Sequence, residues 1–141
     1  MAYCTAQDML ERFGAREMAD ASDRAQTGEM DASVVSTACE DASAEVDGRI
    51  ARRYSVPLTS APRLIKLLAC DIARYRLFAT RPHEEARRRY EAAIAVLEEI
   101  ASGGLSLGAD EAKPAASSIR VCSGRPVFGP AVQEAYVRGL R

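Results

Sequence analysis

The chain has 141 residues and a mass of 15.2 kDa, the usual size of one domain with one modest hydrophobic core. Hydrophobic residues make up 48% of the sequence and charged residues 28%, which excludes a wholly disordered or collagen-like chain. Uncharged stretches reach only about ten residues, half of the ~20 that a membrane-spanning helix needs, so we expect no membrane contact. The first residues lack the basic and apolar regions of a secretory signal, so we expect synthesis in the cytoplasm without export.

Charge is unevenly distributed along the sequence, although the net charge is only −1. Residues 1–48 carry eleven acids and three arginines, residues 49–90 carry eleven bases and three acids, and residues 91–141 are nearly neutral. Such an asymmetry favours a partner of opposite sign, either nucleic acid or another copy of the chain. Arginine outnumbers lysine 17 to 2, which a GC-rich genome also produces, so arginine abundance alone is weak evidence for phosphate binding.

The sequence predicts a short first helix that begins at a capping box formed by Thr5 and Asp8 and ends at Gly14. Residues 15–21 add another turn or two. The composition of residues 22–30, rich in small and polar side chains, is typical of a loop.

A long helix follows, which Asp31 caps and which the apolar spacing extends to about Tyr54. Gly48 inside this helix costs about 1 kcal/mol relative to alanine, which the close approach of a neighbouring helix would offset. The connector after the helix is expected to pack Val56 and Leu58 inward.

The third main helix opens at Pro62 and is the most apolar segment, so it is the expected central helix of the core. Residues 80–82 end it and start the fourth. Glu84 and Glu85 lie in the first turn of the fourth helix, where the helix dipole favours acids, and the glycines at 103–104 close it.

The chain thus divides into a helical domain over residues 1–108, a linker over 109–118 and a C-terminal docking arm over 119–141. The arm has apolar anchors, including Val127 and Phe128, but no core of its own. Such a segment docks on its own domain or on a neighbour. The predicted fold is therefore all-α, a bundle of about four main helices with a flexible C-terminal arm.

The sequence offers little for catalysis, cofactor binding or metal binding. No two cysteines form a C-x-x-C pair, and the only histidine, His83, is expected to be a solvated residue of a first helical turn. The cysteines are expected to be reduced and buried as small hydrophobic residues. They are Cys4, Cys39, Cys70 and Cys122. We therefore expect no enzyme, no cofactor and no metal site.

Asp71 is a carboxylate on the apolar side of the predicted core helix. A buried lone carboxylate is costly, so it requires a cation, and Arg53 or Arg74 are the expected partners. No second carboxylate or base lies at a recognisable catalytic spacing. We therefore interpret Asp71 as part of a buried ion pair rather than as a catalytic acid.

Two groups of arginines are candidates for contact with another subunit or with DNA. They are Arg49, Arg52 and Arg53 on one helical side, and Arg87, Arg88 and Arg89 on the last helix. With Arg74 and Arg76 they could form a phosphate-binding surface. Because no helix-turn-helix signature appears, any DNA contact would involve backbone phosphates and would not read sequence. A solvated or inter-subunit role for these arginines remains open.

Four segments in this order and spacing resemble a family of small proteins from Mu-like phages and prophages. The segments are residues 2–13, 46–58, 71–75 and 89–108. The resemblance covers about residues 2–108 and, weakly, the tail around residues 125–128.

This family looks related to the head-completion, or head–tail connector, proteins of tailed phages, which are helical adaptors in a ring beneath the portal. The resemblance implies contact with further copies of the chain, expected as a dodecamer that matches the portal. It also implies contact with the portal protein and with a neck or stopper protein on the tail side, and it implies non-specific passage of DNA through the ring. The chain would be made in the host cytoplasm and reside in the virion neck, and the family has no catalytic residues to carry over.

A second reading of the same residues stays open. The basic middle region is also compatible with a small nucleic-acid-binding or regulatory helical protein, whose DNA affinity would fall steeply with salt.

Overall fold

A computed structural model describes residues 1–80 and 83–108 of the chain. Within these residues every regular element is an α-helix, which confirms the all-α prediction. The five helices are α1 (Ala6–Phe13), α2 (Ala15–Ser22), α3 (Ala32–Ile50), α4 (Arg63–Leu77) and α5 (Glu84–Ser102). The predicted linker, the predicted arm and its candidate docking residues Val127 and Phe128 lie outside the described residues.

The four predicted main helices correspond to α1, α3, α4 and α5, and the extra turns predicted after Gly14 form α2. The capping box of α1 is present, because the Asp8 N–H donates to Thr5 Oγ1 and the Thr5 N–H donates to the Asp8 carboxylate, over 3.2 and 3.0 Å. Gly14 separates α1 from α2 because its φ of +87° lies outside the φ range of a right-handed α-helix. Asp31 caps α3 as predicted, accepting from the N–H of Ser33 over 2.9 Å.

The three long helices form one bundle in which α3 and α5 run parallel. Near the middle of both helices the Tyr90 hydroxyl donates to Glu45 over 2.9 Å, and near their ends Arg53 Nη1 donates to the Ile100 carbonyl over 3.3 Å. Phe78, which follows α4, stacks on His83, which precedes α5, so the end of α4 lies beside the start of α5. The helix α4 therefore runs antiparallel to α3 and α5. The short helices α1 and α2 lie on α3, and α1 also contacts α4.

Apolar side chains from all five helices meet in one core. One fully buried example from each helix, in chain order, is Met9, Met18, Val46, Ile72 and Leu97. Burial of each such side chain stabilises the fold by roughly 1.5 to 3 kcal/mol. The helix α4 packs most extensively on α3 and then on α5, whereas α3 contacts all four other helices, so α3 and α4 share the centre of the bundle.

Tyr3 joins three separate segments. Its N–H donates to Ser43 Oγ over 2.8 Å, its hydroxyl donates to the Asp47 carboxylate, and the same oxygen accepts the N–H of Leu58 over 2.9 Å. Burial, together with the hydrogen bond to Asp47, raises the pKa of Tyr3 to about 12. The chain start is therefore fixed to α3 and to the connector before α4.

The helix α3 is shorter than predicted. It ends at Ile50, whose carbonyl accepts the N–H groups of both Arg53 and Tyr54 over 2.9 Å, so the chain tightens into a turn there. This turn buries the Tyr54 ring, and the Tyr54 hydroxyl accepts the N–H of Leu107 over 3.1 Å. The buried tyrosine thereby anchors the segment that follows α5.

Two packing predictions around this turn are wrong. The connector buries Leu58, but Val56 is 36% exposed. Residues two apart share a side in a regular extended segment, so the connector does not have that regular geometry. At Gly48, an added Cβ would have no heavy atom within 4 Å, so none of the helices α1 to α5 approaches it closely. The expected compensation for this glycine is therefore not found among residues 1–80 and 83–108.

His83 is not a solvated first-turn residue but the N-cap of α5. Its Nδ1 accepts the N–H of Ala86 over 3.1 Å, and its ring stacks on Phe78 with 4.7 Å between centroids. The imidazole thus satisfies a free backbone donor of the helix start and joins α4 to α5.

Replacing Gly48 with alanine is expected to raise the free energy of unfolding by about 1 kcal/mol, because the position is helical and open. Gly103→Ala is the matched comparison and should destabilise the chain. There φ is +96°, and a Cβ would lie 2.9 Å from Arg53 Nη1. Thermal and urea unfolding measure both changes, and a loss of stability in Gly48→Ala would contradict the open environment of this glycine.

Candidate interaction surface

The acidic first part of the chain and the basic middle part meet inside the fold. From α4, Lys66 binds Asp8 of α1 over 2.7 Å, and Arg76 binds Glu45 of α3 over 2.7 Å. A third base of α4 binds α2 in the same way. The charge asymmetry of the sequence is therefore largely neutralised within one chain, and by itself it does not require a partner.

Arg74 is the base of α4 that binds α2, and it is the most buried charged residue of the described part at 4% exposure. Its guanidinium binds Glu17 of α2 through Nε and lies 3.6 Å from Glu85 of α5. It also lies over the ring of Phe13, 4.8 Å from the centroid. Buried between two carboxylates and an aromatic ring, Arg74 is not exposed for contact with a phosphate.

Asp71 forms an ion pair, as predicted, but the pair is only partly buried and involves neither of the expected partners. Arg12 Nη2 lies 3.3 Å from both carboxylate oxygens, and Arg89 lies 3.9 Å away. Arg74 turns to Glu17 instead, and Arg53 lies at the other end of the bundle beside the end of α5. The ion pair thus joins α4 to α1 and α5, and the role of the Asp71 carboxylate is structural.

Glu45 is the centre of a second polar cluster, between α3, α4 and α5. It accepts hydrogen bonds from Arg76, from Arg49 and from the hydroxyl of Tyr90, over 2.7, 3.2 and 2.9 Å. Burial alone would raise the pKa of Glu45, but these hydrogen bonds outweigh it and hold the pKa below its usual value. Glu45 is therefore charged in the folded chain and holds three helices together.

The six candidate arginines do not form one surface. Arg53 contacts the carbonyl of Ile100, whereas the second group lies more than three turns earlier on α5, about 18 Å away along the axis for a residue such as Arg88. Arg49 also lies near the end of α3, where it binds Glu98 over 3.6 Å. A continuous phosphate-binding strip over both groups is thus not present.

Only two of the six are free to bind a partner without breaking a contact within the described residues. Arg87 pairs with Glu84 and Glu91, and Arg89 pairs with acids of α4 and α5. Arg52 and Arg88 are exposed and have no such partner. The prediction that these arginines contact a subunit or DNA stays a prediction, now concentrated on these two.

Two exposed helix faces were not anticipated from the sequence. On the exposed face of α3, small residues that include Gly48 lie between an acid, Glu40, and a base that follows the helix, Arg52. The outer face of α5 has the reverse order, a base first and an acid last. A glycine inside a long helix was the signal in the sequence, but its significance depends on knowing that none of the other described helices covers it.

Three of the four cysteines are buried thiols, as predicted, and the fourth, Cys122, lies outside the described residues. Contacts with the thiols of Cys39 and Cys70, together with burial, raise the pKa of Cys4. All three thiols are buried, so they behave as small packing groups of the core. Within residues 1–80 and 83–108, no group of histidines, cysteines and acids is arranged to hold a metal ion.

Comparison with known proteins supports the resemblance to Mu-like phage and prophage proteins. Residues 3–122 match the family described as Bacteriophage Mu, Gp36. Gene product J of Escherichia phage Mu is 34% identical over 135 residues, which cover 91% of this chain and 94% of that protein. The Mu-like prophage FluMu protein gp36 of Haemophilus influenzae is 33% identical over 106 residues, 75% of each chain. In the described part, none of the helices is both long enough and apolar enough to cross a membrane.

Glu45→Gln is expected to lower the free energy of unfolding at neutral pH by about 1 to 3 kcal/mol, the contribution of hydrogen bonds to charged groups. The pKa of Glu45 in the folded chain lies below its ordinary value of 4.5. Its stabilisation is therefore present above that value and is lost as the pH falls through the folded pKa. Urea unfolding at neutral and at acidic pH should show the two chains converge in the acid range.

The control for this measurement is Glu40→Gln, an exposed acid of the same helix without an ion-pair partner among the described residues. It should change stability by less than about 0.5 kcal/mol. A difference between the native chain and Glu45→Gln that stays constant down to acidic pH would contradict the role of the Glu45 charge.

Proposed function

Because the chain belongs to the Gp36 family of bacteriophage Mu, we propose that it is a structural protein of a Mu-like phage that acts as a head–tail connector. In this role, copies of the chain form a ring beneath the portal, expected as a dodecamer, in the neck of the virion. DNA passes through the ring, and the portal and a tail-side neck or stopper protein are its neighbours. This role is mechanical and requires no catalytic residue and no cofactor.

The observation that carries the proposal is the arrangement of the two longest helices. The helices α3 and α5, each of 19 residues, run parallel, and each leaves one face exposed without a covering element among the described residues. In a cyclic ring every subunit has the same direction along the axis, and each presents one surface to the neighbour on one side and a different surface to the other. Two parallel helices with open faces provide two such surfaces.

The internal ion pairs also suit a connector. Lys66, Arg74 and Arg76 neutralise acids of α1, α2 and α3 within the chain, so these charges do not require a partner subunit. The few remaining unpaired charges are then available for recognition between subunits.

The nucleic-acid-binding alternative has less support from the same contacts. Phosphate binding requires several free cations close together. Arg74 is buried, Arg49, Arg76, Arg87 and Arg89 bind acids, and the two free arginines of the candidate set lie on different helices. Contacts with DNA inside a ring would arise from many copies rather than from one basic patch.

The connector role predicts a defined defect when the chain is removed from its phage. Deletion of its gene from the source prophage should leave heads and tails that do not join, because the ring that connects them is absent. Electron microscopy of the induced lysate and a count of infectious particles measure the defect. Supply of the native chain from a plasmid should restore both, and normal joined particles without the chain would contradict the proposal.

A further inference from the structure

Four charged side chains are exposed on the open faces of α3 and α5 or just after α3, and have no ion-pair partner among residues 1–80 and 83–108. Glu40 lies on the face of α3 and Arg52 lies in the turn just after the last residue of α3, and Arg88 and Glu99 lie at the two ends of the face of α5. At 1.5 Å per residue, Arg88 and Glu99 are separated along α5 by roughly 17 Å, and Glu40 lies roughly 15 Å before the end of α3, where the turn with Arg52 begins. The two faces therefore carry opposite charge orders at nearly equal spacing.

The positions between these charges allow close approach. Ala44 and Gly48 occupy the next positions of the same ridge on α3, and Ala92 and Ala95 lie between the charges on α5, all of them exposed. An added Cβ at Gly48 has no heavy atom within 4 Å. Residues four apart form the ridges that pack between helices, so two helices meeting at these faces can approach without large side chains between them.

Only one pairing of these faces is complementary in a ring. In cyclic symmetry neighbouring copies point the same way along the axis, so α3 of one copy meets α5 of the next in the parallel direction. The acid of α3 then faces the base of α5, and the base of α3 faces the acid of α5. Parallel α3–α3 or α5–α5 contacts would bring like charges together at both ends.

The positions of these charges along the helix axes also agree between α3 and α5. Within the chain, Glu45 contacts Tyr90 and Arg53 contacts Ile100, so residues of α5 that are about 45 to 47 positions later are level with those of α3. A rotation about an axis along the helices preserves this level between copies. It brings Glu40 of one copy to within about two residues of the level of Arg88 in the next copy. It also brings Arg52 of the first copy to the level of Glu99 in the next.

We propose that α3 of one copy packs against α5 of the next copy in the ring, with Glu40 facing Arg88 and Arg52 facing Glu99 of the neighbour. The contact rests on the proposed connector function and identifies the surface that closes the ring. It also explains why a glycine is present inside α3 when no other described part of the chain approaches it.

The test is a charge exchange in the full chain, supplied to the phage that lacks its own copy. Glu40→Arg alone and Arg88→Glu alone should each lower the number of infectious particles and of particle-bound chain at least about tenfold, because like charges then meet at every interface of the ring. The double variant should restore both counts to near the native level. Circular dichroism and thermal melting confirm that each variant folds, which is expected since neither residue has a partner within the described part of the chain.

Matched controls are Glu29→Arg and Arg16→Glu, which make the same changes at exposed residues of the loop before α3 and of α2. They should leave the particle counts unchanged. A two-fold dimer through antiparallel α3 helices is the competing contact, and there Glu40→Arg would be restored by Arg52→Glu instead of by Arg88→Glu.

Each outcome decides between the claims. Rescue by Arg88→Glu supports the α3–α5 contact, and rescue only by Arg52→Glu overturns it in favour of the dimer. Normal particle counts with Glu40→Arg alone overturn this contact while the connector function stands. Normal joined particles in the complete absence of the chain overturn both.

Discussion

The fold depends on how the charges of α4 are neutralised by the helices around it. This helix shares the centre of the bundle with α3, yet it carries three bases that each bind an acid on a different acidic helix. Arg74 is the most constrained of them, since it is buried and is held by Glu17 and Glu85. Removal of a partner from a buried ion pair costs roughly 3 to 5 kcal/mol, so these contacts fix where α2 and α5 lie against α4.

This neutralisation involves the charged residues that join helices, such as Glu45, Arg74 and Arg76, which are paired within the chain. Several exposed charges have no ion-pair partner among the described residues. Four of these lie on or just after α3 and on α5: Glu40, Arg52, Arg88 and Glu99.

Local features of the fold could be predicted from the sequence, and contacts between distant segments could not. The start of α1 and the start of α3 were predicted because Thr5, Asp8 and Asp31 bind backbone groups only two or three residues away. The partner of Asp71 was not, because Arg12 is 59 residues away in sequence and its selection depends on how α1 packs on α4. For the same reason Tyr3 gave no signal beyond being one more aromatic residue, although its N–H and hydroxyl bonds join the chain start to α3 and to the connector before α4.

The central claim is that copies of this chain form a ring at the junction of head and tail in a Mu-like phage. A cryo-electron microscopy reconstruction of the neck of particles from an induced source lysate tests it most directly. The account predicts density for this chain as a ring under the portal, with α3 of each copy against α5 of the next. Intact, joined particles with no density for the chain at the neck would contradict it.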